Sequence, residues 1–177
     1  EAYSVAKTML LVQAQAYRTQ YGFDAVHLLM TNMYGPGKEA VRGFVITNII
    51  RRMLEAKRDK ASSITLWGSG TPTRDFIFVK DAAEAFVLAA ESYSKPEPVN
   101  IGSGWEISIR ELAETIAKLM GFRGEVTWDK TKPDGQMRRI LDPGRAEREF
   151  GFRARTALED GLRETVAYQE MQFANGS

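Results

Sequence analysis

Short apolar runs of strand length alternate with segments of helical periodicity along almost the whole chain, and this alternation limits the fold more than any other feature. Residues 25–30, 64–67, 76–79, 99–102 and 125–128 read as strands. Helical patterns fall at 2–21, 44–56, 82–93, 109–120, near 143–150, and at 157–173. The run Ala25-Val26-His27-Leu28-Leu29-Met30 is nearly continuous in apolar residues. A strand covered on both faces by helices reads this way, whereas a half-exposed strand alternates in polarity. The pattern predicts an α/β architecture with parallel pairing, without repeats or long linkers.

Local signals set expected boundaries. Val5, Met9, Val12, Ala16 and Tyr17 recur at three- and four-residue steps along the first helix, and Gly22 is placed to end it. Asp81 sits where a helix start is expected. Ser108 followed by Glu111 has the spacing of a capping box. Leu158, Leu162, Val166 and Gln169 lie down one face of the closing helix. Thr31 to Gly37 and Gly68 to Thr73 are rich in glycine and proline and read as a loop and a turn.

Composition then excludes function classes. The chain has no cysteine and a single histidine, His27, so thiolate chemistry, disulfides and multi-histidine metal sites are ruled out. His27 lies inside a predicted strand and reads as a packed or edge histidine. The 24 basic and 23 acidic residues leave a net charge of +1, with no electrostatic footprint for nucleic acid or a membrane surface. No apolar run approaches the roughly 20 residues that span a bilayer. A cytoplasmic location fits. The chain opens at Glu1 with Tyr3 already inside a helical pattern, so an upstream segment is expected.

Four motifs carry candidate chemistry. In Tyr3-Ser4-Val5-Ala6-Lys7 a phenol and an ammonium stand four residues apart, on one face of a helix. A phenol near its reference pKa of about 10 is a poor base at neutral pH, and a neighbouring cation favours the phenolate. Such a pair is an acid/base for a hydroxyl or carbonyl, or else two exposed helix residues in chance register. Asn32-Met33-Tyr34-Gly35-Pro36-Gly37 follows a strand, where ligands of open α/β sheets bind, although Asn32 has a second reading as a cap on turn backbone. In Trp67-Gly68-Ser69-Gly70-Thr71-Pro72-Thr73-Arg74-Asp75-Phe76 the glycines allow close approach of a ligand. The planar fork of Arg74 suits a diphosphate, the competing reading being a pair with Asp75. Lys132-Pro133-Asp134-Gly135-Gln136-Met137-Arg138-Arg139 is a basic loop, of a kind that is commonly only solvated.

Together these motifs resemble the extended short-chain dehydrogenase/reductase family of nucleotide-sugar epimerases, dehydratases, decarboxylases and reductases. The resemblance runs from Tyr3 to about Phe173 and is nearest to the GDP-L-fucose synthase branch. It implies the C-terminal part of a Rossmann-like NAD(P)-binding fold plus a small substrate lobe, with the N-terminal βαβ units absent. Residues 1–43 and 80–104 would then end the Rossmann-like layer, and 44–79 with 105–173 would form the lobe. By the same resemblance Tyr3 is the catalytic acid/base, and Lys7 holds the nicotinamide ribose of NAD or NADP. Asn32 and Arg74 would contact the diphosphate region of a nucleoside-diphosphate sugar, Arg52 and Lys132 would lie on its nucleotide side, and Trp67 would be a further substrate-binding residue.

The chain departs from that branch at Phe44, where a catalytic histidine is expected; a phenyl ring transfers no proton. The glycine-rich G-x-G-x-x-G turn of a dinucleotide site is also missing from the sequence. The expected parent activity is therefore NAD(P)-dependent epimerase/reductase chemistry, GDP-sugar favoured. A UDP-sugar 4-epimerase or decarboxylase is the alternative, and a non-catalytic nucleotide-sugar-binding or assembly module the alternative of another class. The isolated chain is expected to be inactive and to self-associate through uncovered strand edges or its first helix.

Overall fold

A computed structural model describes residues 2–37 and 44–175. The chain begins with helix α1 (Ala2–Tyr21), followed by strands β1 (Leu28–Met30) and β2 (Asn32–Tyr34). Helix α2 (Val45–Arg58) leads to β3 (Ser63–Trp67), β4 (Thr73–Arg74) and β5 (Phe76–Phe78), which runs directly into α3 (Val79–Ser92). After β6 (Val99–Ile101) and β7 (Ile107–Ser108) come α4 (Ile109–Met120) and β8 (Glu125–Asp129). The last elements are β9 (Arg138–Arg139), α5 (Gly144–Phe150) and α6 (Leu158–Asn175).

The strand pairs are parallel where the alternation of elements predicts it. β1 pairs with β6, β2 with β5, and β3 with β8, all parallel. β4 adds a parallel pairing with β9 and an antiparallel one with β7. The strands β2, β4, β7 and β9 escape a reading of the sequence because they are two or three residues long and have no apolar run of strand length around them. β2 in particular lies inside the segment 31–37 that reads as loop.

Two hydrophobic cores meet at β5, whose successive side chains point to opposite faces. Phe76 and Phe78 pack with Ile49, Ile50 and Met53 of α2, Leu112 and Ile116 of α4, and Leu162 of α6. Ile77 packs instead with Ala85 and Ala89 of α3, Val99 and Ile101 of β6, and Phe150 and Phe152 beyond. Each such buried aliphatic or aromatic side chain is worth about 1.5–3 kcal/mol relative to exposure. Gly161 lets α6 lie against β2 and β5: a Cβ there would come within 2.4 Å of the Tyr34 hydroxyl and 2.9 Å of the Phe78 ring. The boundary drawn at residue 43 falls outside the described residues.

Capping follows the sequence at α4 and departs from it at α3. The Glu111 amide donates to Ser108 Oγ at 3.1 Å, the Ser108 amide donates to Glu111 Oε2 at 3.1 Å, and Gly121 closes the helix in the left-handed region at φ 58°. Asp81 does not cap α3. Phe78 holds that position without a side-chain bond, because the strand passes straight into the helix. The Asp81 carboxylate instead accepts from the Thr156 amide and hydroxyl at 3.0 and 2.9 Å, pinning the segment that enters α6. The expected strand at 25–30 shortens to β1, although the His27 carbonyl still accepts from the Val99 amide at 3.0 Å.

α1 stands apart. None of its residues is buried. Its C-terminal end is tied down locally: the Gly22 amide donates to the Arg18 carbonyl, and Arg18 pairs with Asp24 and donates to the Ala25 carbonyl. Tyr17 meets Tyr21 and Phe23 edge-on.

Candidate functional site: two adjoining clefts at the ends of β2 and β3

A cleft of about 500 Å³ opens beside β2, β4 and the start of α2. β2 and its following turn supply Asn32, Met33, Tyr34 and Pro36, and the entry to α2 supplies Phe44 to Thr47. Trp67 comes from the end of β3, Arg74 from β4 and Asp134 from the loop before β9. A second cleft of about 270 Å³ shares Val45, Trp67 and Ile109 with the first and adds Asn48, Ile49, Arg52 and Leu66. The two therefore adjoin across Trp67. Their walls are largely apolar with a few polar groups, the usual make-up of a small-molecule site.

The polar groups are held by identifiable bonds. Asn32 Nδ2 donates to the Asp75 carbonyl at 2.8 Å, so the side chain that lines the cleft also holds backbone, and both readings of this residue apply at once. Arg52 is fastened beside the second cleft by bonds from Nε to Asn48 Oδ1 at 2.9 Å and from Nη1 to the Thr65 carbonyl at 2.8 Å. Trp67 is 67% exposed, and Lys132 Nζ lies 5.8 Å from its ring centroid, a cation–π arrangement. Asn32, Arg52, Trp67 and Arg74 thus line one or other of the two clefts, and Lys132, which lines neither, lies against Trp67.

Arg74 is the electrostatic centre of the group. Its Nη1 donates to the Thr73 carbonyl at 2.7 Å. Burial, and then the like charge of Arg139, hold its guanidinium below the usual arginine range. It still carries its proton, since arginine is not deprotonated in proteins. Asp75 does not pair with it. That fully buried carboxylate accepts from the Ser103 amide and hydroxyl through Oδ1, and its Oδ2 has no hydrogen-bond partner among the described residues. Among the described residues no ion pair includes Arg74, so a partly desolvated cation faces the cleft unpaired, although the Asp134 carboxylate lines the same cleft. Such a group favours an anionic ligand.

Tyr3 and Lys7 are brought together but not into the clefts. Lys7 Nζ lies 5.6 Å from the Tyr3 ring centroid, and Tyr3 is 75% exposed. Neither lines either cleft. Among the described residues the titratable side chains that line the larger cleft are Tyr34, Arg74 and Asp134. Burial, then Asp81 and Asp160, push the Tyr34 phenol far above its ordinary value, so it stays protonated at any physiological pH. Bonds from Ser69 hold Asp134 below the usual carboxylate range.

Reading the sequence left Tyr34, Asp134 and Ile109 off the candidate residues; Tyr34 stood within the Asn32–Gly37 motif and Asp134 within the basic loop, while Ile109 had no visible signal. Among the described residues no cluster of carboxylates and histidine is arranged to hold a metal, and no helix is long and apolar enough to cross a membrane.

Comparison with known proteins identifies the family. Residues 1–102 match the NAD dependent epimerase/dehydratase family. The probable GDP-L-fucose synthase 1 of Oryza sativa subsp. japonica is 41% identical over 95% of this chain and 52% of its own length. The GDP-L-fucose synthase of Escherichia coli K12 is 38% identical over 95% of this chain and 56% of its own. The chain spans about half the length of the curated relatives it matches. Among solved structures, a GDP-L-fucose synthetase from Naegleria fowleri bound to NADP superposes with a TM-score of 0.88 at 25% identity, covering 98% of this chain and 56% of that one. The UDP-glucose 4-epimerase of Thermotoga maritima with UDP-glucose gives 0.86 at 26% identity, over 97% and 54% of the two chains. The strand pairings, the order of elements and a match across more than half of its residues agree: this chain belongs to the NAD-dependent epimerase/dehydratase family.

Proposed function

We propose that the chain is the nucleotide-sugar-binding part of an NAD(P)-dependent epimerase/reductase, with a GDP-sugar as the favoured ligand. The observation that carries this is Arg74, a partly buried guanidinium in no ion pair among the described residues, opening onto a cleft lined by exposed Trp67, over which Lys132 lies. Arg74 grips the diphosphate, and Trp67 with Lys132 and Arg52 takes the nucleoside. The apolar wall of Met33, Phe44 and Val45 receives the sugar. The similarity to GDP-L-fucose synthases supports the choice of base.

The donor chemistry of Tyr3 and Lys7 fits the nicotinamide ribose: a phenol and an ammonium share one exposed helix face. When bound there, the nicotinamide supplies or accepts a hydride. Tyr3 then moves the proton of the sugar hydroxyl or carbonyl, and Lys7 steadies the negative charge on the phenol and holds the ribose. The phosphates of the dinucleotide have no glycine-rich turn in this sequence, so that part of the cofactor would be held by other polypeptide. Phe44 lines the sugar end of the cleft and offers no proton, which favours chemistry at the carbon served by Tyr3 over epimerisation at its neighbours.

Melting the chain in the presence of GDP-, UDP-, CDP- and dTDP-sugars tests the reading. A ligand that binds only the folded state raises Tm. The largest rise is expected with a GDP-sugar, and no rise with any of them removes the proposal. A largest rise with a UDP-sugar would select a UDP-sugar 4-epimerase or decarboxylase, a reading that Phe44 and the likeness to the Thermotoga enzyme favour. A binding module without chemistry is the reading favoured by the distance of Tyr3 and Lys7 from the cleft linings.

A further inference from the structure

The loop that carries Lys132 is held at two points. At its start the Asp129 carboxylate accepts from the Thr131 amide and hydroxyl, and the Lys132 amide donates to the Asp129 carbonyl at 3.2 Å. Just beyond Lys132 the Asp134 carboxylate reaches across to the opposite bank. Ser69 donates to both of its oxygens, from the amide to Oδ1 at 2.6 Å and from the hydroxyl to Oδ2 at 2.8 Å.

The opposite bank is shaped to receive that carboxylate. Gly68 is left-handed at φ 82°, and a Cβ there would lie 2.3 Å from Asp134 Oδ1. Gly70 is left-handed at φ 78° and lies flat on the Trp128 ring, where a Cβ would come within 2.7 Å. Arg110 fixes the turn from behind, stacking 4.9 Å from the Trp128 ring centroid and donating to the Ser69 carbonyl at 2.6 Å. A rigid turn thus presents one amide and one hydroxyl to Asp134. The span between the two anchors is short, and it lays Lys132 over Trp67.

We infer that Asp134 is a positioning residue whose clasp on Ser69 joins the two banks of the clefts and so holds the Lys132 ammonium over the Trp67 ring. This deepens the proposed nucleotide-sugar site and rests on that reading for its use in binding, while the clasp itself is measurable without ligand. A carboxylate beside an anion-binding cleft otherwise works against the ligand. Here both oxygens are engaged by Ser69, which turns a repulsive group into a fastening. The arrangement is geometric, so an amide of the same shape serves as well: Asn accepts from the Ser69 amide and donates to the Ser69 hydroxyl.

The test compares the unsubstituted chain with Asp134→Ala, Asp134→Asn and Ser69→Ala. Ring-current shifts of the Lys132 side-chain methylenes report the stacking on Trp67, and the rate of tryptic cleavage after Lys130 reports the loop. Asp134→Ala is expected to abolish the Lys132 shifts and to speed cleavage about tenfold. Asp134→Asn retains both, and Ser69→Ala, which keeps the backbone donor, falls between. Unchanged Lys132 shifts in a folded Asp134→Ala, or failure of Asp134→Asn to restore them, overturns the inference. In parallel, GDP and UDP are titrated into each variant. Weaker binding by Asp134→Ala than by Asp134→Asn supports the positioning role. If the unsubstituted chain binds neither nucleotide, the proposed function fails, and the Lys132 shifts still decide the clasp.

Discussion

α1 and α2 look alike in sequence and fare differently in the fold. Both show apolar residues at helical spacing, yet α2 buries Ile46, Ile49, Ile50, Met53, Leu54 and Ala56, whereas α1 buries nothing. In α1 the predicted inner face, Val5, Met9, Val12 and Tyr17, is exposed along its length. An amphipathic pattern states that a helix has a face to bury, not where its partner lies. The contrast has a functional edge, because the cleft residues ride on the buried part and the Tyr3/Lys7 pair on the unburied helix.

The largest effect that sharpens this contrast is on stability. Ile50→Ala should cost about 2–5 kcal/mol in urea unfolding, since it opens a cavity among fully packed side chains. Met9→Ala on α1 should change stability by less than about 0.5 kcal/mol. If copies associate through α1 and not through strand edges, the same substitution, on its exposed apolar face, should lower self-association in sedimentation. Equal destabilisation by both changes would break the comparison.

Next in size is Arg74→Ala, expected to weaken nucleotide-sugar binding by about 1.5–3 kcal/mol in calorimetry, the worth of a charge-assisted bond. Lys7→Ala should leave that affinity unaltered, since Lys7 lines neither cleft. The smallest effect concerns the cap of α4. Ser108→Ala should cost about 1 kcal/mol by thermal melting. The side-chain and then backbone bonds to Ser108 hold Glu111 below the usual carboxylate range. A depressed carboxylate contributes stability that is full above the unfolded-state pKa. That contribution is lost as pH falls through the lower folded-state value. The acid limb of the stability profile should therefore flatten in Ser108→Ala.

Much of this molecule is legible residue by residue. The capping box at Ser108 and Glu111 is a local contract, two reciprocal bonds within one turn, and it forms as its spacing says. α1 likewise spans Ala2–Tyr21 with Gly22 in the left-handed region after it. Asp81 shows the opposite case. Its position reads as a cap, but a partner 75 residues away, Thr156, takes its carboxylate. The strands β2, β4, β7 and β9 exist only because other chain segments lie beside them.

Arg74, Trp67 and Lys132 stand out in the sequence as residue types suited to a nucleotide-sugar, within motifs that resemble a known family. That they meet around one pair of clefts, with Asp75 turned away to Ser103 and Asp134 reaching across to Ser69, is the work of tertiary packing. The long helices, the Ser108 cap of α4 and the glycine that ends α1 were determined by the sequence alone, because their bonds close within a few residues. Partners separated by tens of residues were decided only in the folded chain, where burial forces each polar group to find a donor or acceptor that local spacing does not name.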